Sequence, residues 1–384
     1  MSALPRLRVA ILNRHFGYRY GGAERYAASI AEELSTSHDV HVFAQEIDHH
    51  HPGITYHPVS RPLKKPRWVN QLWFAFQTWR LTRQGFDVVH SHENTWHGHI
   101  QTVHVRPFRV GLFHGLNTRK RGLRWLSLLT SPRLITYWCL EASRFAKSPH
   151  RWIVATSDSV MRETVQSYPH TASVMEVIPP GVHLPTSRMP AALAREQLRL
   201  PAQHPVALFV GNDFDKKGLP TLLQALSQTP DLHLAVVGQG RHLDRYRHQV
   251  QTLGLTDRVH LLGNLPDVTP AYAAADWLVH PTTEDTYAMV VLEAMAHDLP
   301  VMVSSASYCG IAAELKHGVH ALILENPGDA QSLSRMLMSL MNDSDLRTTL
   351  REAGRTFAQQ RTWQRAAAGH EALFQRLLAH RPCP

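Results

Sequence analysis

Residues 280–305 read HPTTEDTYAMVVLEAMAHDLPVMVSS. The apolar run Trp277–His280 that leads into Pro281 has the length and residue types of a buried strand. A polar, acidic turn follows (Thr282, Thr283, Glu284, Asp285), then a helical stretch, then a second apolar strand at Val301–Ser304. Strand, turn, helix and strand in so short a span make a βαβ unit, whose strands run parallel. Asp285 and Glu293 are eight positions apart, which predicts one helical face with about two turns between them. Glu293 interrupts an otherwise apolar helix surface, and a buried carboxylate is costly unless something bonds to it. A ribose diol is a suitable donor pair; a salt bridge to a neighbour or the capping of another helix is the structural alternative.

The alternation extends in both directions. Val206–Val210, Leu232–Val237, Val259–Leu262 and Ala321–Leu324 read as further strands, with helices between them. GNDFDKKG (211–218) follows the strand VALFV and opens a helix at Gly218. Strand, turn and helix N-terminus present free N–H groups to an anion, and Lys216 and Lys217 add charge there. An ordinary surface turn with two solvated lysines is the other reading. Upstream, Arg8–Asn13, Val40–Ala44, Asp87–Ser91, Thr102–Val105 and Trp152–Ala155 read as strands. Gly21-Gly22 ends a loop before a helix at Ala23–Leu34, residues 123–147 are helical around Pro132, and Asp158 is placed to cap the helix after it. VIPPG (177–181), Pro185 and Pro190 break the pattern. The expected organisation is a domain over 1–180, a second over 181–362, and a last helical segment over 363–384. The fold class is α/β, two Rossmann-like doubly wound domains facing across a cleft, with ligands at the carboxyl ends of the strands.

Composition narrows the function classes. A chain of 384 residues suits two domains, and 43% hydrophobic with 18% charged residues excludes a disordered chain. Three dispersed cysteines, Cys139, Cys309 and Cys383, exclude a disulfide scaffold and a Cys-rich zinc site and suit a reducing compartment. No apolar run reaches the ~18–20 residues of a membrane span, and the N-terminal apolar stretch is too short for a secretory signal. The expectation is a cytoplasmic protein, soluble or peripheral to a membrane. Net charge is +9, unevenly placed: residues 1–185 carry 22 basic and 12 acidic residues, residues 186–384 carry 18 and 19. Residues 105–151 hold ten Lys and Arg against the single acid Glu141, interleaved with Phe108, Phe113, Trp125, Tyr137, Trp138 and Phe145. Such a segment suits an anionic membrane surface; a solvated helical face and a nucleic-acid contact are the alternatives, and no nucleic-acid motif accompanies it.

Residues 90–107, HSHENTWHGHIQTVHVRP, hold five histidines: His90, His92, His97, His99 and His104. Their spacing lacks the helical i, i+4 pair with a nearby acid that zinc hydrolases use, and 27 histidines in the chain make chance clustering common. No metal site is expected. His104 stands apart because it sits at the end of TVHV.

Together these motifs resemble the family-4 retaining glycosyltransferases of GT-B fold. Lys217-Gly218 after the first strand of the second half, Asp285 and Glu293 with seven residues between them, LEAMAHDLPV, YCGIAAEL (308–315), IPPGV (178–182) and GLTDRVHLLGNLPDV (254–268) occur in that family's order. GNDFDKKG, PPGV and a GGAER loop are similar to the lipopolysaccharide core glucosyltransferase group within it. Two positions depart: the first acid is Asp285 with Glu284 beside it, and Asn212 stands where many members have Arg. The resemblance implies transfer of a hexose, best assigned as glucose from UDP-glucose, onto a lipopolysaccharide core or similar glycolipid, with retention and without a bound metal or other cofactor. GDP-mannose and UDP-N-acetylglucosamine are the alternative donors, and a basic nucleic-acid-binding protein is the alternative of another class. Catalytic roles fall to Lys217, His104 and either Asp285 or Glu284. Nucleotide-sugar contacts fall to Gly21, Gly22, Asn212, Lys216, Gly263, Asn264, the helix start at Ala288, Met289 and Val290, and Glu293. Partners implied are the nucleotide sugar, the glycolipid and the anionic inner membrane face, to which 105–151 would hold the protein. Lys217→Ala is expected to cost little stability.

Overall fold

The computed structural model describes residues 6–113, 116–240 and 243–379. His114, Gly115 and Cys383 therefore lie outside the described residues. The chain divides into two compact units, one running to Pro180 and resuming at Trp363, the other spanning Gly181–Thr362.

The first unit contains β1 (Arg8–Leu12), β2 (His15–Gly17), α1 (Gly22–Ser35), β3 (Asp39–Ala44), β4 (Glu46–Asp48), β5 (Ile54–Pro58), α2 (Arg67–Thr82), β6 (Val88–Ser91) and β7 (Ile100–Val103). It continues with α3 (Phe108–Phe113), α4 (Thr118–Thr130), α5 (Pro132–Arg144), β8 (Trp152–Ala155), α6 (Asp158–Ser167) and β9 (Met175–Val177). Seven strands form a parallel sheet in the order β5-β3-β1-β6-β7-β8-β9, and β2 pairs with β4. Val9, Ala10, Ile11 and Leu12 are fully buried, as a strand covered on both faces requires.

The second unit contains α7 (Ala191–Gln197), β10 (Val206–Val210), α8 (Leu219–Ser227), β11 (His233–Val237), α9 (Leu243–Thr252), β12 (Val259–Gly263), α10 (Thr269–Ala274) and β13 (Trp277–His280). Then come α11 (Met289–Ala296), β14 (Val301–Ser304), β15 (Leu322–Leu324), α12 (Ala330–Asn342) and α13 (Ser344–Gln359). Its six strands are parallel, ordered β12-β11-β10-β13-β14-β15. Strand order reverses between β10 and β13, so the loops after these strands diverge to opposite faces and leave a crevice at their carboxyl ends. The last helix, α14 (Trp363–Ala379), packs in the first unit: the Tyr26 hydroxyl of α1 bonds His370 Nε2 at 2.9 Å and donates to the Ile178 carbonyl.

Several local expectations are corrected. The strand expected at 102–105 is Ile100–Val103, which leaves His104 beyond its end; pairing with Trp152–Ala155 sets the register. Ser157, not Asp158, caps α6, because its hydroxyl accepts from the Val160 amide. Helix around Pro132 begins earlier, at Thr118, and breaks into α4 and α5. The short strands β2, β4, β5 and β9 carry too few apolar residues for periodicity to expose them.

Candidate active site

The switch point of the second unit brings 211–218 and 281–288 together. Thr282 and Thr283 both donate from their hydroxyls to the Lys216 carbonyl, and the Thr283 amide donates to it at 2.8 Å. Gly218 makes this approach possible. Its φ is +82°, and a Cβ there would stand 1.9 Å from the Pro281 carbonyl oxygen. Only glycine tolerates both the left-handed backbone and that contact. Gly218 is thus the N-cap, and α8 starts at Leu219.

Lys217 Nζ donates to Asp285 Oδ2 at 2.5 Å, and His280 Nε2 lies 3.1 Å from the same oxygen. Asp285 Oδ1 accepts from the Ala288 amide at 2.9 Å and the Tyr287 amide at 3.3 Å. Burial opposes ionisation of Asp285, but the His280 hydrogen bond and the Lys217 charge outweigh it and hold the carboxyl well below the usual carboxylate range. Asp285 is therefore not on the same helix as Glu293. It lies in the turn before α11, whose N-cap is Ala288; that residue adopts a left-handed backbone, φ +67°, that stops the helix from starting earlier. The Ala288 amide is spent on Asp285 rather than left for a ligand. Met289 and Val290 begin α11, half-buried.

Glu284 is exposed and pairs with Lys216, 2.9 Å apart. Glu293 is half-buried, not buried, and accepts from the Tyr272 hydroxyl at 2.7 Å. Asn212 is exposed, with Oδ1 accepting from the Gln239 amide. Gly263 ends β12 at φ +71° with its carbonyl bonded to the Gly238 amide, and Asn264 is exposed beside it. His280 and Tyr272 were not singled out from sequence. The signal for His280 was its place as the last residue of a strand that delivers the acidic turn.

In the first unit, Gly21 is the N-cap of α1, with extended backbone and no side-chain cap, and Gly22 opens the helix. His104 is half-buried. Its ring stacks on His92, with His92 Nδ1 and His104 Nε2 2.9 Å apart, and meets Tyr26 edge-on. Burial and the Arg144 charge push His104 down to about 3, so its imidazole is neutral at physiological pH. His90 bonds Thr102 and touches His92 and His370, while the His99 ring accepts from the Val89 amide. Among the described residues no group of three or more His, Cys, Asp or Glu is arranged to hold a metal ion.

The family model for Glycosyltransferase Family 4 matches residues 20–185, and that for Glycosyl transferases group 1 matches residues 191–357. Over 247 residues the chain is 26% identical to the lipopolysaccharide glucosyltransferase WaaG of Escherichia coli K12, covering 61% of this chain and 64% of that protein. Over 242 residues it is 27% identical to a D-inositol 3-phosphate glycosyltransferase of Corynebacterium jeikeium, covering 59% and 57%. Each match thus spans less than two thirds of the relative's own length. The crystal structure of WaaG superposes with a TM-score of 0.80 at 20% identity, over 94% of this chain and 98% of that one.

Proposed function

Because the chain belongs to the family-4 glycosyltransferases of GT-B fold, we propose that it moves a hexose, glucose from UDP-glucose, onto a hydroxyl of a lipopolysaccharide core or similar glycolipid, with retention and without a metal ion. The observation that carries this reading is the Lys217 ammonium clamped by Asp285 beside the start of α11, at the switch point of a parallel sheet. As the bond from the sugar's C1 to the diphosphate breaks, negative charge grows on the departing oxygens. Lys217 and the Met289 and Val290 amides are placed to stabilise it, and one such donor is commonly worth ~3 kcal/mol of barrier. The acceptor hydroxyl attacks C1 on the face the diphosphate leaves and passes its proton to that diphosphate; this step follows from the family. Glu293 takes the ribose diol with Tyr272 fixing its carboxylate, and the donor sugar's hydroxyls fall to either Asp285 or Glu284. His104, neutral, serves as a hydrogen-bonding group for the sugar rather than as a charge.

We place the protein on the cytoplasmic face of an anionic membrane. No helix among the described residues is long and apolar enough to cross one. On α4, Leu123 and Leu129 are 69% and 72% exposed, with Trp125 and Leu126 beside them and Arg119, Lys120, Arg121 and Arg124 around them. Exposed leucines among cations favour lipid over nucleic acid, because they gain from an apolar phase. Each cation near such a surface contributes ~1 kcal/mol. Liposome binding should require anionic lipid; equal, negligible binding with and without it removes this placement.

The test of the donor reading is thermal shift with a panel of nucleotide sugars, since ligand at 100 times its Kd stabilises by ~2.7 kcal/mol. UDP-glucose should give the largest shift. Glu293→Ala should weaken it, and Lys217→Ala should reduce transfer strongly. A larger shift with GDP-mannose or UDP-N-acetylglucosamine reassigns the donor; no shift with any of them refutes the reading.

A further inference from the structure

Glu284 and Asp285 stand side by side in the turn between β13 and α11, and the protein uses their carboxylates differently. An ionised carboxylate offers about four lone-pair sites on its two oxygens. In Asp285 all of them are engaged from inside the protein. Oδ2 accepts from Lys217 Nζ at 2.5 Å and from His280 Nε2 at 3.1 Å; Oδ1 accepts from the Ala288 amide at 2.9 Å and the Tyr287 amide at 3.3 Å. The main chain of Asp285 is pinned as well: its amide donates to the Tyr308 carbonyl at 2.8 Å, and its carbonyl accepts from the Gly310 amide at 3.0 Å. The side chain is 15% exposed. A sugar hydroxyl reaches this carboxylate only by displacing a donor already in place, and Lys217 is the one donor not fixed by backbone or by a buried ring. Moving that ammonium away leaves a largely buried charge without its ion-pair partner, which is costly.

Glu284 is held loosely by comparison. Its side chain is 47% exposed and its partner Lys216 is 56% exposed. Water screens such a pair, so little is lost when a hydroxyl takes a share of the Glu284 carboxylate. The turn that carries Glu284 is nevertheless well placed. Its amide donates to the Thr282 hydroxyl, and the Thr282 and Thr283 hydroxyls bond the Lys216 carbonyl, which fastens the turn to the loop that carries Lys216 and Lys217. We propose that Glu284 accepts the donor sugar's hydroxyl, parting from Lys216 as it does so, and that Asp285 is a positioning residue that aims the Lys217 ammonium without touching the sugar. Lys217 has three N–H donors, so it serves the departing diphosphate while still bonded to Asp285. The assignment rests on the transfer reading above, to which it adds the residue that selects the sugar.

Calorimetry of the full chain with UDP, UDP-glucose and the monodeoxyglucose analogues of UDP-glucose tests it. Glu284→Ala, a change at the surface, should weaken UDP-glucose about tenfold, as loss of a hydrogen bond to a charged group does, and should not weaken UDP. One deoxy analogue should bind the unaltered protein about tenfold less tightly than UDP-glucose, and Glu284→Ala should erase that difference. Asp285→Asn should weaken UDP and UDP-glucose alike, because it acts through Lys217. Unchanged UDP-glucose binding in Glu284→Ala overturns the proposal, and so does a loss there that UDP shares. A deoxy difference that is missing from the unaltered protein, or that survives in Glu284→Ala, also overturns it. So does an Asp285→Asn protein that loses affinity for UDP-glucose alone, which would put the sugar on Asp285. Should Asp285→Asn fail to fold, the deoxy series on Glu284→Ala decides by itself. Failure of the donor reading shows separately, as absent UDP-glucose binding in the unaltered protein.

Discussion

At the scale of single residues, Lys217 does two things. It supplies positive charge at the switch point, and it neutralises a carboxylate that is largely withdrawn from water. Asp285 keeps His280 and two backbone amides when Lys217 is removed, so the cost is partial: about 1–3 kcal/mol, rather than the negligible loss that the sequence alone suggests. Ala288 offers a cleaner test. It is buried at φ +67°, where a β-carbon is strained by roughly 1 kcal/mol. Ala288→Gly is therefore expected to leave stability unchanged or raise it by up to ~1 kcal/mol, although the same change inside a helix costs about as much. Urea midpoints decide, and a loss above ~1 kcal/mol would show that the alanine is not strained. Lys217, Asp285 and Glu293 were legible because their types and spacing are unusual in an apolar surround. His280 and Tyr272 were not, because a histidine at a strand end and a tyrosine on a half-buried helix look like packing residues until their partners are seen.

At the scale of elements, Glu141 ties three pieces together. From α5 it accepts the amides that open α3 and the hydroxyl of Tyr168, beyond the end of α6. Burial raises its carboxyl above the ordinary range even though these donors favour the charge. Glu141→Ala leaves two amides and a phenol without their acceptor, a cost of at least ~2 kcal/mol. Hydrogen exchange at the Phe108 and Arg109 amides should accelerate in that variant, and unchanged exchange at both would refute the role. In the sequence Glu141 is only the lone acid of a basic stretch. Long apolar strands such as β10 and β13 announce themselves by composition, whereas β4 and β9 are three residues each and exist because a neighbouring strand offers them its edge.

At the scale of the whole molecule, histidine burial sets a pH limit. His90, His92, His104 and His370 lie in one contact network in the first unit, with His104 and His370 pushed down to about 3 by burial, which the Arg144 charge reinforces at His104. The unfolded chain takes up these protons near pH 6.5 and the folded one does not, so stability is full above about pH 6.5 and falls as pH drops from there toward 3. Each such histidine contributes a slope of about 1.4 kcal/mol per pH unit in that window. Denaturation at pH 7.5 and 5.5 should show the loss, and equal stability at both would mean the imidazoles protonate in the folded state.

The alternation of apolar strands and helices determined parallel sheets by itself, because a buried parallel strand must be apolar on both faces and a crossover helix returns the chain to the end of the sheet where the previous strand began. The spacing of Lys217, Asp285 and Glu293 likewise marked where charge meets a helix start. Only the tertiary structure decided what each charge does. Whether a carboxylate faces a lysine, an amide or a tyrosine, and whether an arginine is satisfied or left with spare donors, depends on residues tens to hundreds of positions away. Hydrogen bonds and ion pairs act over a few ångströms, a distance that composition and periodicity do not record.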